Sequence, residues 1–269
     1  MLTNITMGQY YPVKSPVHLL DPRIKLLLTL AFIVAVFMVH TIWGYILIFG
    51  FVYFVSRLAK IPFKMLLRGI KPLRIILIFT FLLNLFFTEG SIVLLSFWSI
   101  RITLEALRQA VFYSLRLVFL VLGTSLLTLT TSPVALSDAI ELLLGPLKKI
   151  HFPAHELAMM ITIALRFIPT LLDETDKIMK AQMARGADFE SGNLISRAKS
   201  MVPLLVPLFV SAFRRAGDLA MAMESRCYHG GAGRTRFRVL KLTKEDALAC
   251  CIVAALIGLI ILEGIFLTH

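Results

Sequence analysis

Long, uninterrupted apolar runs constrain this chain more than any other feature. The first extends from about Leu26 to Val55, roughly 30 residues with His40 as the one group that ionises near neutral pH. A single helix needs only about 20 residues to cross a bilayer. The run therefore predicts a tight hairpin with spans near 24–39 and 42–57, turning at the polar His40-Thr41 pair with Gly44 beside it; one tilted helix is the alternative. Further apolar runs predict spans at about 73–88, 107–130 and 247–267. The fold class that follows is an all-α, polytopic membrane protein with about five spans. Its composition agrees, since 58% apolar residues, 16% charged residues and a mean hydropathy of +0.84 lie outside the range of soluble domains. The N-terminus has no short apolar run followed by a small-residue cleavage site, so the spans themselves are expected to direct insertion.

Charge sets the expected topology. The stretch from Arg57 to Arg74 carries Arg57, Lys60, Lys64, Arg68, Lys71 and Arg74 and no acidic residue, which places it in the cytoplasm. With five spans the N-terminus is then cytoplasmic and the C-terminus external. The short segment from Glu89 to Glu105, with Arg101 between two acids, reads as external. The formal net charge of +12 is explained by basic residues flanking the apolar runs, and no nucleic-acid motif accompanies it. Cys227, Cys250 and Cys251 form neither a disulfide framework nor a metal-ligand spacing, so no metal and no cofactor is expected.

The pattern changes at Thr131. Between Thr131 and Glu245 the chain has 16 Lys/Arg and 11 Asp/Glu, leaving 12 and 5 for everything else. The expected organisation is an N-terminal transmembrane region (1–130, about four spans), a cytoplasmic region (131–245) and a C-terminal transmembrane helix (246–269). Inside the charged region, Ile161, Leu165, Ile168, Leu172, Met179 and Met183 recur at helical spacing, with Asp173, Asp176, Lys177 and Lys180 on the opposite face. Leu205, Leu208, Phe209, Ala212, Phe213, Ala216, Leu219, Ala220 and Met223 repeat the pattern. Two long amphipathic helices are predicted, packing by their apolar stripes and joined through residues 188–193, with a bend at Pro169.

Each predicted helix closes on an arginine between small residues, Ala184-Arg185-Gly186 and Ser225-Arg226-Cys227, 41 residues apart. An arginine in a last turn complements the negative end of the helix dipole and caps orphan carbonyls. Small neighbours also leave its planar fork free to pair with a carboxylate in a partner's groove. Periodicity alone leaves both readings open.

Four segments together carry a resemblance: His18-Leu19-Leu20-Asp21-Pro22-Arg23-Ile24-Lys25-Leu26, Leu165-Arg166-Phe167-Ile168-Pro169-Thr170-Leu171, Lys180 to Asp188, and Ala222 to Tyr228. In that order they resemble the transmembrane T component of energy-coupling factor transporters, the ABC-type importers of vitamins and other micronutrients in prokaryotes. The resemblance implies that the two helices form a coupling module. Their arginine-bearing ends, Ala184, Arg185 and Gly186 in one and Ser225, Arg226 and Cys227 in the other, would dock into two cytoplasmic ATPase subunits. The membrane portion would contact a separate, membrane-embedded substrate-binding S component. The second signature keeps only the arginine of a strict Ala-Arg-Gly.

What the residues lack agrees with that division of labour. No nucleotide-binding Gly-x-x-x-x-Gly-Lys-Ser/Thr loop occurs, and Gly230 to Arg236 reads as a basic turn, so the chain is expected to be non-catalytic with ATP bound by its partners. His151 and His155 are interrupted by Pro153 and have no third ligand nearby. Arg116, and Arg108 nearer the interface, are ionisable within a span, for which a structural pairing with a carbonyl or with Glu105 is expected. Asp21-Pro22-Arg23 has the form of a helix start. The alternatives are an ion-coupled secondary transporter, which would need acidic residues near a span's centre that are absent here, and an ordinary ABC permease subunit, which presents one coupling helix.

Overall fold

The computed structural model describes residues 10–90, 92–97, 100–146, 153–187, 189, 193–230, 240 and 242–267. The elements are α1 (Pro16–Leu19), α2 (Pro22–Met38), α3 (Ile42–Leu58), α4 (Phe63–Ile70), a 3-10 turn (Lys71–Leu73) and α5 (Arg74–Phe87). After β1 (Val93–Phe97) and β2 (Ile100–Thr103) come α6 (Leu104–Thr130), α7 (Pro133–Leu143), α8 (Ala154–Ala184), α9 (Leu194–Glu224) and α10 (Lys244–Leu267). Residues 8–139 and 239–269 make one compact unit and residues 140–238 belong to another. The protein is an all-α polytopic membrane protein, and its one departure from helix among the described residues is the antiparallel hairpin β1–β2, in register at Phe97 and Ile100. That hairpin lies in the short segment expected to be external.

Four described helices are long and apolar enough to cross a membrane: Phe63–Phe87, Leu104–Thr130, Ala154–Ala184 and Lys244–Ile265. Ile42–Leu58 is a shorter apolar helix. The first apolar run is a hairpin, as expected, with Thr41 capping α3 through its hydroxyl and the Gly44 backbone N–H. A Cβ at Gly44 would come within 2.8 Å of the Val39 side chain, so this corner needs glycine. The expected span at 73–88 is longer than its apolar run, because Pro72 sits in the first positions of the 3-10 turn and the helix continues through it from Phe63. The length and composition of α8 also suffice for a span, although the charge count assigns it to the cytoplasmic region. Five of its seven charged residues fall at or after Asp173, which leaves the first half apolar.

The first unit packs around α6. Phe119, Leu122, Leu126 and Leu129 of α6 meet Phe32, Ala35 and Val36 of α2, Tyr45, Ile48 and Val52 of α3, and Leu256 and Ile260 of α10 in a single buried cluster. Gly123 lets α2 approach closely, since a Cβ there would run into the Phe32 ring. Tyr45 stacks on Phe119 at 5.8 Å and donates from its hydroxyl to the Phe112 carbonyl at 3.2 Å.

The segment around Asp21 ties the helix ends of this unit together. Asp21 caps α2, accepting from the Arg23 backbone N–H at 2.9 Å and from the Arg23 guanidinium at 2.8 Å. Its own N–H donates to Asp246 Oδ1 at 2.8 Å, while Asp246 Oδ2 accepts from the Thr243 N–H and hydroxyl at the start of α10. Lys25 is buried, and its ammonium donates to the carbonyls of His18 and of Thr130 at the end of α6. His18 Nε2 faces the Tyr11 carbonyl at 2.9 Å and Nδ1 faces the Ser15 hydroxyl at 2.7 Å. Those partners assign the neutral tautomer with the proton on Nε2, and burial of the ring, set against the Tyr11 hydrogen bond, lowers the His18 pKa. Asp-Pro-Arg is thus a helix start, as expected, and also a clamp between α2, α6 and α10.

Burial alone would raise the Asp21 carboxyl, but hydrogen bonds and charge from Arg23, with the charge of Lys25, outweigh it and hold the pKa below the usual 3.8. A carboxylate with a lowered folded pKa contributes stability above the unfolded value and loses it as pH falls through the folded one. Asp21→Asn should therefore melt below the wild type at neutral pH, with a deficit of about 0.5–2 kcal/mol from the weakened cap. Thermal unfolding in detergent should show that deficit shrinking as the pH drops below 3.8; a deficit independent of pH would count against the ion pair.

Candidate coupling site

The second unit contains α8 and α9, each of 31 residues and each on the order of 46 Å long. Pro169 lies inside α8, and Pro203 and Pro207 inside α9. Two contacts define how they pair. Arg215 Nη2 meets Glu174 Oε2 at 2.7 Å, and the Tyr228 hydroxyl donates to Met159 Sδ at 3.0 Å. Positions rising along α9 meet positions falling along α8, so the helices run in opposite senses. Arg226, two residues before Tyr228, therefore lies toward the N-terminal part of α8, while Arg185 is at its C-terminus. The separation of Met159 from Arg185 along α8 puts the two arginines roughly 40 Å apart.

Both helices stop in the same way. Gly186 adopts φ +89°, its N–H bonds the Met183 carbonyl at 3.0 Å, and the Ala187 N–H bonds the Gln182 carbonyl at 3.0 Å. At the other end Cys227 adopts φ +55°, its N–H bonds the Glu224 carbonyl at 2.9 Å, and the Tyr228 N–H bonds the Met223 carbonyl at 3.0 Å. These are the paired bonds of a Schellman motif around a left-handed residue. Arg185 and Arg226 hold equivalent places, each the residue before the left-handed one. Ala184, Arg185, Gly186, Ser225, Arg226 and Cys227 are all exposed.

The carbonyls an arginine might cap, at Gln182, Met183, Met223 and Glu224, already receive backbone N–H groups. Among the described residues neither the Arg185 nor the Arg226 guanidinium has a carboxylate within ion-pair distance. The backbone hydrogen bonds end each helix, and both arginines are exposed. Arg226 holds that position although its motif has lost the glycine, because Cys227 accepts a conformation that is costly for a side chain.

The apolar stripes are only partly covered: Leu165, Leu172 and Met179 of α8 and Leu208, Ala212, Leu219 and Met223 of α9 are half-buried. Leu204, Leu208, Arg215 and Leu219 form the more covered face of α9, while the neighbouring face is open, with Phe209 at 60% and Phe213 at 75% exposure. Ile161, Ile168 and Met183 of α8 are exposed as well. The stripe expected from periodicity is wider than the line along which two helices touch, so part of it remains uncovered.

The Glu174–Arg215 pair lies outside the residues that periodicity singles out, and one signal could have found it. Glu174 precedes Arg185 by 11 residues and Arg215 precedes Arg226 by 11, so opposite charges occupy matching positions on the two helices. His155 pairs with Glu141 at 2.9 Å, and no group of His, Cys, Asp and Glu among the described residues could hold a metal. His151, residues 231–236 of the basic turn, Lys241 and most of the 188–193 linker lie outside the described residues. The three cysteines are free thiols. Arg116 donates to the Val39 carbonyl at 3.2 Å, the kind of structural pairing expected for it.

An all-α polytopic membrane protein whose second unit ends two long antiparallel helices on equivalent arginines, with no ion pair to either among the described residues, has the form of one subunit of a larger membrane assembly. The comparisons specify which. Residues 13–237 match the family model CbiQ, described as a cobalt transport protein. The chain is 57% identical over 248 residues to the energy-coupling factor transporter transmembrane protein EcfT of Thermosediminibacter oceani, covering 92% of this chain and 93% of that one. It is 54% identical to the EcfT of Clostridium kluyveri over 99% of both chains, and 47% identical to that of Bacillus subtilis over 98% of both. The chain belongs to this family of T components.

The shared helix ending predicts opposite effects of two substitutions. A Cβ at Gly186 would meet no atom within 4 Å, so Gly186→Ala tests conformation alone and should cost about 1 kcal/mol. Cys227→Gly should stabilise by a similar ~1 kcal/mol. Thermal shifts of the same sign in detergent would contradict the equivalence of the two ends.

Proposed function

We propose that this chain couples two separate cytoplasmic ATPases to a membrane-embedded S component that binds a vitamin or other micronutrient. Arg185 docks into one ATPase and Arg226 into the other. The observation that supports this most is the pair of identical helix endings, roughly 40 Å apart by helix rise, each presenting a guanidinium that its own helix does not use. A planar fork of five donors suits a carboxylate or a carbonyl cluster in a groove. Closure of the ATPases on nucleotide would move the two anchored ends relative to each other. Because α8 and α9 are pinned to each other by Glu174 and Arg215, displacement of one end is carried along the helix pair, and the open apolar faces of the helices supply the surface for an S component. Ala184, Gly186, Ser225 and Cys227 serve as small neighbours that admit the arginine into its groove. The protein resides in the prokaryotic plasma membrane with its N-terminus in the cytoplasm, the side the basic stretch from Arg57 to Arg74 favours.

The test is co-expression of the tagged chain with its ATPases and an S component. Arg185→Ala or Arg226→Ala should lower co-purified ATPase at least about tenfold, the loss of a buried charged contact worth a few kcal/mol. The double variant should abolish ATP-dependent uptake while inserting normally. Arg185→Lys should fail to restore binding, since an ammonium lacks the bidentate fork. Full transport by the double variant would sink the proposal.

A further inference from the structure

A polar cavity of about 380 Å³ lies in the first unit, beside the turn between α2 and α3 and the first half of α6. Arg108, Arg116, Gln109, His40 and Glu105 supply its polar groups, with Phe112 and Tyr113 as apolar walls. Arg116 Nη2 donates to Val39 O, and its guanidinium lies 5.5 Å from the rings of Phe37 and of Tyr113. The hydroxyl of Tyr45 is also beside it. Its Nε is buried and has no acceptor. Arg108 lies over the Phe112 ring at 5.5 Å.

The cavity carries more positive than negative charge. Among the described residues no carboxylate comes within ion-pair distance of Arg108 or Arg116. Glu105 engages the Ile92 N–H through Oε2, and Glu263 of α10, the other acid near the turn, accepts from the Thr41 hydroxyl. Two guanidiniums thus face a pocket with one carboxylate that is already used elsewhere. An arginine at this depth is costly unless paired.

We propose that this cavity binds the phosphodiester headgroup of an anionic phospholipid. Arg108 and Arg116 are four and twelve residues into α6, on the order of 6 and 18 Å from its start. Arg116 reaches the α2–α3 turn through its bond to Val39 O, and Arg108 lines the same cavity as Val39 and His40 nearer the start of α6. The turn is at the opposite end of α3 from Arg57 and Lys60, which by the positive-inside rule puts the site in the outer leaflet. A phosphodiester matches the bidentate geometry of a guanidinium. The lipid's chains find apolar surface directly alongside, where Val34, Phe37, Ile42 and Ile46 are exposed. A lipid, unlike a soluble anion, is delivered at this depth by the bilayer itself.

Native mass spectrometry of the full chain in detergent, titrated with dioleoyl phosphatidylglycerol or its phosphatidylcholine counterpart, tests the assignment. The wild type should bind phosphatidylglycerol about tenfold more tightly than phosphatidylcholine, and Arg108→Gln/Arg116→Gln should remove that preference. If the double variant does not purify as a monodisperse protein, Arg108→Gln alone should weaken binding about threefold, because its exposed side chain packs on one ring only. Unchanged binding in either variant overturns the proposal. So does binding that survives in the double variant and is lost in Lys64→Gln/Arg68→Gln, which assigns the lipid to the basic face. Displacement of the lipid by millimolar inorganic phosphate also overturns it, in favour of a free-anion site.

Discussion

Each α-helix leaves backbone N–H groups at its start and carbonyls at its end without partners inside the helix, and in an apolar solvent such orphans cost several kcal/mol each. The way this chain satisfies them organises both of its units. In the first, side chains do the work. The Lys25 ammonium takes the carbonyl at the end of α6, Asp21 caps α2, Asp246 caps α10 while receiving the Asp21 N–H, and the Arg116 guanidinium takes the last carbonyl of α2. Groups that would be expensive alone become affordable together, because each charged side chain answers a backbone group that water would otherwise have to reach.

In the second unit the backbone closes its own ends. The left-handed residues Gly186 and Cys227 turn the chain so that the next N–H groups reach back to the last carbonyls. Both arginines are exposed beside these endings. Had α8 and α9 run on into disordered ends, Arg185 and Arg226 would have been drawn to the exposed carbonyls and the helix dipole. A self-sufficient ending instead holds the chain in one geometry and presents the guanidinium at a defined place.

The two units also differ in how they treat apolar surface. Around α6, aromatic stacking and the close approach at Gly123 bury the faces of α2, α3 and α10. Along α9 one face remains open, at Met201, Val202, Leu205, Val206, Phe209, Val210 and Phe213. Surface of that extent on a soluble helix is an interaction site or a membrane contact, in keeping with a subunit that acts only inside a larger assembly.

Much of this was legible in residues alone. Apolar length dictates helices and a hairpin at His40-Thr41, since about 30 residues exceed one crossing. The order of four short segments was enough to place the chain in its family, and Asp21-Pro22 announces a helix start through a rigid φ and a capping carboxylate. What lay beyond reach was everything that depends on residues far apart in sequence. Periodicity marks an apolar face but not how wide a strip a neighbouring helix covers, so it does not reveal that Ile161, Ile168, Phe209 and Phe213 stay open. Equally, no local pattern reveals that Asp21 meets Asp246, that Lys25 meets Thr130, or that Glu174 meets Arg215. The equivalence of Arg185 and Arg226 needed the tertiary structure for a related reason. Cys227 does not advertise a left-handed conformation as Gly186 does, and only the backbone hydrogen bonds around it show that the second helix ends as the first one does.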